Sequence, residues 1–333
     1  MKSLTFRFSV LGISAVAALV GCGGASVYGF APPGSNAAAS ADKLNPRSPA
    51  AKSGDLLYVT STLVFGPSKL YVFTYPGATY VSEVTVPNHP EGLCADKNGN
   101  VFVTTLIPNS NTSYIYEYAH GGTQPIATLT DPGGGNSCAV DSVTGNLAVA
   151  NWSSDSPSSP GNVAIYSNAR GVPRTYVAQN ISAYLWCAYD SKGDLFVDGI
   201  NGRHAMPLVE LRSGASSFEK VTLDEAVTPS SLQWLDGNLL VANDASISGP
   251  ELLYRVKFSG SRGKIVGKTV LKSRHGMNSW GGQFVVSGAS VTGPSYPRRY
   301  FSVWSYPKGG KALLFIARPR VKEFYGVAIS ASR

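Results

Sequence analysis

Six times along this 333-residue chain a glycine, one intervening residue and an apolar strand recur, and that repeat limits the folds open to it. The segments are SGDLLYVTS, NGNVFVTT, TGNLAVAN, KGDLFVDG, DGNLLVAN and GGQFVVSG. Their glycines are Gly54, Gly99, Gly145, Gly193, Gly237 and Gly281, separated by 45, 46, 48, 44 and 44 residues. A unit of that length holding several short strands cannot bury its faces alone. Such units stack radially, as the blades of a β-propeller.

The interior of each unit agrees. A short apolar strand precedes each glycine after the first: GLCAD, SCAVD, WCAYD, SLQWL and MNSW. A hairpin closes the unit, as in YIYEYAHGGTQPIATLT, VAIYSNARGVPRTYVA and SVWSYPKGGKALLFIA, where alternating apolar residues flank a Gly-containing turn. Four strands per unit result, A to D from the axis outward. The first unit lacks a strand A, and residues 324–330 read as a strand A with no successor. Pairing the C-terminal strand into the first blade removes two open edges at once. The expectation is an all-β, six-bladed propeller of four-stranded blades closed in this way.

Composition supports strands over helices: 14% of residues are charged, with 36 Gly and 21 Pro. The formal charge is +8, or +6 without Lys2 and Arg7, and the basic residues are scattered apart from Arg298-Arg299 and Arg318-Pro319-Arg320. A nucleic-acid surface needs a basic stripe interleaved with aromatics, so no nucleic-acid partner is expected.

Residues 1–21 carry two early positive charges and an uncharged apolar run over residues 10–20, too short to span a bilayer and suited to a secretory signal. The run ends in Leu19-Val20-Gly21-Cys22, which resembles the bacterial lipobox. That resemblance implies a lipoprotein signal peptide over 1–21 and a lipidated Cys22 at the mature N-terminus. Residues 22–50, rich in Ala, Ser, Gly and Pro, read as a flexible tether, and 51–333 as the propeller. The expected location is the cell envelope, on the periplasmic face of a membrane or the cell surface, with the membrane as partner through the anchor and the body a monomer.

Within the propeller, PEGLCADKNGNVFVTT resembles the NHL repeat, and DSVTGNLAVAN and DSKGDLFVDG resemble it more loosely. The chain also resembles, distantly, the senescence marker protein and gluconolactonase group of six-bladed propellers. Fold follows from such likeness; function sits in sites grafted on the fold.

Topology narrows the place of a site. With strand A running down from the top, the D–A and B–C loops share the top face and the A–B and C–D turns share the bottom. The B–C loops are long and irregular (SSDSPSSPGN, NGRHAMP, ASISGPE and ASVTGPSYPRR), which suits recognition. Candidate top-face residues are Glu91, Asn136, Asn151, Trp152, Asp198, His204, Asn243, Asp244 and His275. Carboxylates and carboxamides gathered at a propeller's axis offer the oxygen ligands that Ca²⁺ takes. The gluconolactonase resemblance places a metal ligand at Glu91 and another at Asn136, while the remaining positions, Tyr184, Leu185, Ser230 and Ser231, depart from it. No cofactor is otherwise expected.

Cys94, Cys138 and Cys187 read as equivalent positions in successive A strands, packed near the axis as small apolar side chains, with a Cys94–Cys138 bridge the alternative in an oxidising compartment. Trp186 and Trp280 are expected to pack between blades, and Trp152, Tyr184 and Tyr296 to lie near the top. Ser nucleophile elbows, phosphate-cradling loops and Cys-x-x-Cys pairs are absent. The reading that results is an envelope-anchored module binding a small molecule, glycan or envelope protein through its top loops. The alternative is a Ca-dependent, lactonase-like hydrolase.

Overall fold

The computed structural model describes residues 54–63, 67–110, 112–154, 156–201, 206–243, 251–272, 282–295 and 299–333. The signal segment, Cys22, the tether, His204, Asp244, His275, Trp280 and Tyr296 lie outside the described residues.

Among the described residues six blade sheets radiate from an axis, and Ser153–Ser154 pairs with Ser156–Pro160 in a separate two-stranded ribbon. Blade 1 is ordered Val321–Ser330, Leu56–Leu63, Lys69–Thr74, Tyr80–Thr85 from inside outward, so the C-terminal strand closes the ring. It pairs antiparallel with the first strand, Tyr58 opposite Ala328 and Val59 opposite Val327. Blades 2, 3 and 4 begin at His89–Ala95, Gly135–Val140 and Ala183–Tyr189, and each continues outward through three antiparallel strands. Blade 5 starts at Pro229–Leu235 and gains two strands on the expected four. Its outer strand Arg262–Lys272 also accepts Thr222–Leu223 and Gly310–Lys311 in parallel, one from each neighbouring unit.

Packing between blades explains the alternation in the sequence. Six apolar clusters fill the spaces between adjacent sheets. One joins Tyr58, Leu70 and Val72 of blade 1 to Leu93, Val103 and Tyr118 of blade 2. Another joins Leu57, Val59 and Phe324 to Phe301 of blade 6. An inner strand such as Val101–Leu106 contributes to two clusters, Val101 and Val103 to one and Phe102 to the next, because successive side chains point to opposite faces. Full burial of each such side chain is worth about 1.5–3 kcal/mol, and the sum over six interfaces holds the ring.

Two expectations need correction. In the sixth unit the segment after Gly281 is not strand B. Val285–Ser287 is the innermost strand, and Gln283, Phe284 and Val285 line the axis beside the A strands of the other blades. The A–B turn is formed at Gly288, whose φ of 57° matches the positive φ at Gly99, Gly145, Gly193 and Gly237. Strand B is Ser290–Ser295, most of the stretch read as a B–C loop. GGQFVVSG imitates the local pattern, and only pairing to Ser290–Ser295 distinguishes the two registers.

The cysteines are also not equivalent. Leu93, Cys138 and Cys187 each stand three residues before the aspartate that opens the A–B turn (Asp96, Asp141, Asp190), whereas Cys94 stands two before it. One step along a strand reverses the side chain, so Cys94 faces blade 3 while Cys138 faces blade 2. They form a disulfide, and Cys187 remains a buried free thiol in the next interface. The packing reading holds for Cys187 alone.

Candidate functional site

Every A strand of blades 2 to 5 breaks register near its upper end, between Pro90 and Leu93, Gly135 and Ser137, Tyr184 and Cys187, and Pro229 and Ser231. A bulge inserts an extra residue and re-aims side chains. Glu91, Asn136, Leu185, Trp186 and Ser230 lie in or at these bulges. Backbones approach closely there: a Cβ on Gly92 would stand 2.7 Å from the Asn136 carbonyl oxygen, and one on Gly326 would stand 2.4 Å from that of Glu91. Glycine at both positions lets neighbouring A strands converge.

The convergence leaves a top-face cavity of 280 Å³ walled by His89, Glu91, Asn136, Trp152, Glu323 and Tyr325, with Leu106 and the Gly134-Gly135 backbone completing it. Glu91 is 8% exposed, and its Oε1 lies 2.8 Å from His89 Nδ1. That hydrogen bond raises the His89 pKa, opposed by burial and reinforced by the charges of Glu91 and Glu323. The pair therefore favours an imidazolium on a carboxylate at the cavity wall.

Asn136 is engaged at both ends. Its Nδ2 donates to the Leu185 carbonyl at 2.6 Å, and its Oδ1 accepts the Tyr325 hydroxyl at 2.9 Å. Tyr325 stacks on Trp186 at 5.6 Å, linking the closing strand to blade 4. Trp152, 48% exposed, presents its indole from the B–C loop of blade 3. The cavity thus joins an aromatic surface to carboxylates and an imidazole, an arrangement that can hold a ligand with both apolar and polar faces.

Of the sequence-predicted residues, Glu91, Asn136 and Trp152 come together here. Asn151 is fully buried instead: its Nδ2 donates to Asn162 Oδ1 at 2.9 Å and Asp131 Oδ1 at 3.4 Å. Asp131 also accepts the Tyr166 and Ser113 hydroxyls, and burial pushes its pKa up to about 7. Asp198 is buried beneath the blade 4 bulge, accepting the Trp186 N–H at 2.9 Å, with its pKa raised by burial. Asn243 Oδ1 accepts the Thr228 N–H at 2.7 Å and caps a loop. Tyr184 is buried in the interface between blades 3 and 4.

Glu323 and Tyr325 are cavity residues that sequence reasoning did not single out. The signal for Tyr325 was present. Glu91, Asn136, Leu185 and Tyr325 each stand two residues before the position, held by Leu93, Cys138, Cys187 and Val327, that packs against the preceding blade.

A Ca²⁺ ion asks for six or more oxygen ligands. Glu91 and Asn136 share the cavity, but the Asn136 oxygen is taken by Tyr325. Among the described residues no group of three His, Cys, Asp or Glu side chains is placed to hold a metal. Glu91 and Asn136 by themselves do not complete such a ligand set.

Fold and cavity together define a six-bladed β-propeller with a concave axial opening on its top face. Known structures share the fold. A chain of a nidogen/laminin complex superposes with a TM-score of 0.62 at 13% identity, covering 84% of this chain and 100% of that one. A protein of unknown function from Bacteroides caccae gives 0.58 at 13% identity over 84% and 100%. TolB from Acinetobacter baumannii gives 0.62 at 11% identity over 86% and 68%. No family model matches the sequence. No curated protein sequence matches it.

Proposed function

We propose that this chain is an envelope-anchored propeller that binds a ligand or protein partner through its top-face cavity. The observation that carries the reading is Trp152, a large indole left half in solvent at the rim of a cavity walled by His89, Glu91 and Tyr325. Exposed tryptophan beside satisfied polar groups is the composition of binding hot spots. One similar fold comes from a nidogen/laminin complex, itself a protein assembly. The lipobox-like Leu19-Val20-Gly21-Cys22 supports the anchor. The Tyr325–Asn136 hydrogen bond favours binding over the metal-dependent hydrolase reading, because it already engages one lone pair of the oxygen an ion would need.

Photo-crosslinking in intact cells tests the site. A benzophenone amino acid at position 152 should give a discrete adduct that the same probe at Val172, an exposed residue of the blade 3 C–D turn, does not give. Identical patterns at both positions would overturn the top-face assignment. The anchor is tested by Cys22→Ser, which should move the protein from the membrane fraction to the soluble one. A parent chain already soluble and unacylated by mass spectrometry would remove it.

A further inference from the structure

On the bottom face, a cleft between blades 4 and 5 encloses 470 Å³, a volume typical of small-ligand sites. Its apolar side is aromatic. Phe196 stacks on Trp234 at 5.9 Å and 6° and on Phe258 at 4.6 Å, the last two only half-buried. Its polar side sets Asp190, Asp194 and Glu210 against Lys192, Arg212 and Lys257, so the formal charges cancel.

Glu210 is 6% exposed, and its buried Oε2 has no hydrogen-bond partner. The nearest cation is Arg212 Nε at 3.6 Å, and another nitrogen of that guanidinium binds Glu219 at 3.0 Å. The repeat shows what this carboxylate lacks. Between blades 2 and 3, Glu117 stands opposite Phe102 as Glu210 stands opposite Phe196. There Asn100 Nδ2 donates to Glu117 Oε1 at 2.8 Å, and Arg170 reaches Oε2 at 3.5 Å. That cleft is closed down to 190 Å³. In blade 4 the residue at the place of Asn100 is Asp194, which has no proton to donate when ionised. The cleft therefore stays open where its counterpart is filled, with Glu210 buried in its wall.

We infer that this cleft is a second binding site, separate from the top-face cavity, and that it takes a neutral saccharide. A sugar supplies hydroxyl protons to Glu210 and Asp194 and hydroxyl oxygens to Lys192 and Lys257. Its apolar C–H face packs on Trp234 and Phe258. A charged ligand gains little net attraction from a lining whose charges cancel, and a purely apolar one would desolvate Lys192, Asp194 and Lys257 without pairing them.

The test titrates the full-length protein with N-acetylglucosamine, cellobiose and maltose, followed by saturation-transfer NMR and tryptophan fluorescence. At least one should bind saturably with a Kd on the order of millimolar. Glu210→Ala and Lys257→Ala should each weaken it tenfold or more, and Trp152→Ala on the opposite face should leave it unchanged. Lys257 is exposed, so its variant keeps the test open if Glu210→Ala fails to fold. No binding up to about 20 mM by the folded parent, or binding lost only in Trp152→Ala, overturns the inference. Only the second of those outcomes bears on the top-face proposal, and it supports it.

Discussion

Glu251 offers the sharpest quantitative test of this fold. It opens the third strand of blade 5, opposite Leu271, while Leu253 and Leu271 of the same strand pair pack into the core shared with blade 6. The residue is 3% exposed, and neither carboxylate oxygen has a hydrogen-bond partner. Burial alone raises its pKa from 4.5 to about 8. In the unfolded chain the group ionises above pH 4.5; in the folded chain it keeps its proton to about pH 8. Stability is therefore full below pH 4.5, falls as pH rises between the two values, and stays at the lower level above pH 8. At ~1.4 kcal/mol per pKa unit the loss reaches about 5 kcal/mol by pH 8, of which about 3 has accrued at pH 7. That is a ceiling, because a chain that opens locally to hydrate the carboxylate loses less. Glu251→Met keeps the volume and removes the titration. Urea unfolding followed by tryptophan fluorescence should show the variant little changed at pH 5 and more stable by up to about 3 kcal/mol at pH 7. The gap should widen to pH 8 and then level off. Other buried acids, Asp131 and Asp198 among them, titrate in both chains and cancel in the difference. A gap that stays flat from pH 5 to 9 would refute the reasoning.

Three further outcomes are expected. The Cys94–Cys138 bridge closes a 44-residue loop between blades 2 and 3, so the double variant Cys94→Ala/Cys138→Ala should lose about 2–4 kcal/mol; a melting curve matching the parent's would show the bridge idle. Deleting residues 324–333 should abolish cooperative unfolding and promote aggregation, since it exposes the inner edge of Leu56–Leu63 and removes Phe324 and Val327 from the core; an unchanged melt would contradict closure by this strand. Chelation should leave the melting temperature unchanged, because the Asn136 oxygen is held by Tyr325. A fall restored by Ca²⁺ and absent in Glu91→Gln would reinstate a metal at the axis.

The top-face placement of Glu91 and Asn136 was legible because a repeat assigns every residue to a strand, and the starts of A strands must meet at the axis. Asn151 and Asp198 looked alike at that level, yet one supports a buried aspartate and the other a bulged backbone. Sequence marks a residue's place along a strand, but which neighbour its side chain meets depends on a one-residue offset at a bulge. The same offset separates Cys94 from Cys138 and turned an expected packing pair into a disulfide.

The sequence by itself determined the number of blades and the closing role of residues 324–330, because a period of about 45 residues, a first unit without a strand A and an orphan strand A in the last residues admit one closed ring. Only the tertiary structure decided the register of the sixth blade, where Gly281 and Gly288 both satisfy the local pattern and pairing with Ser290–Ser295 selects the second. It also decided the two cavities. Each is built by side chains far apart in the chain, His89 with Tyr325 at the top and Glu210 with Lys257 at the bottom. Their meeting depends on how blades pack, and a linear pattern of apolar and polar residues does not encode those distances.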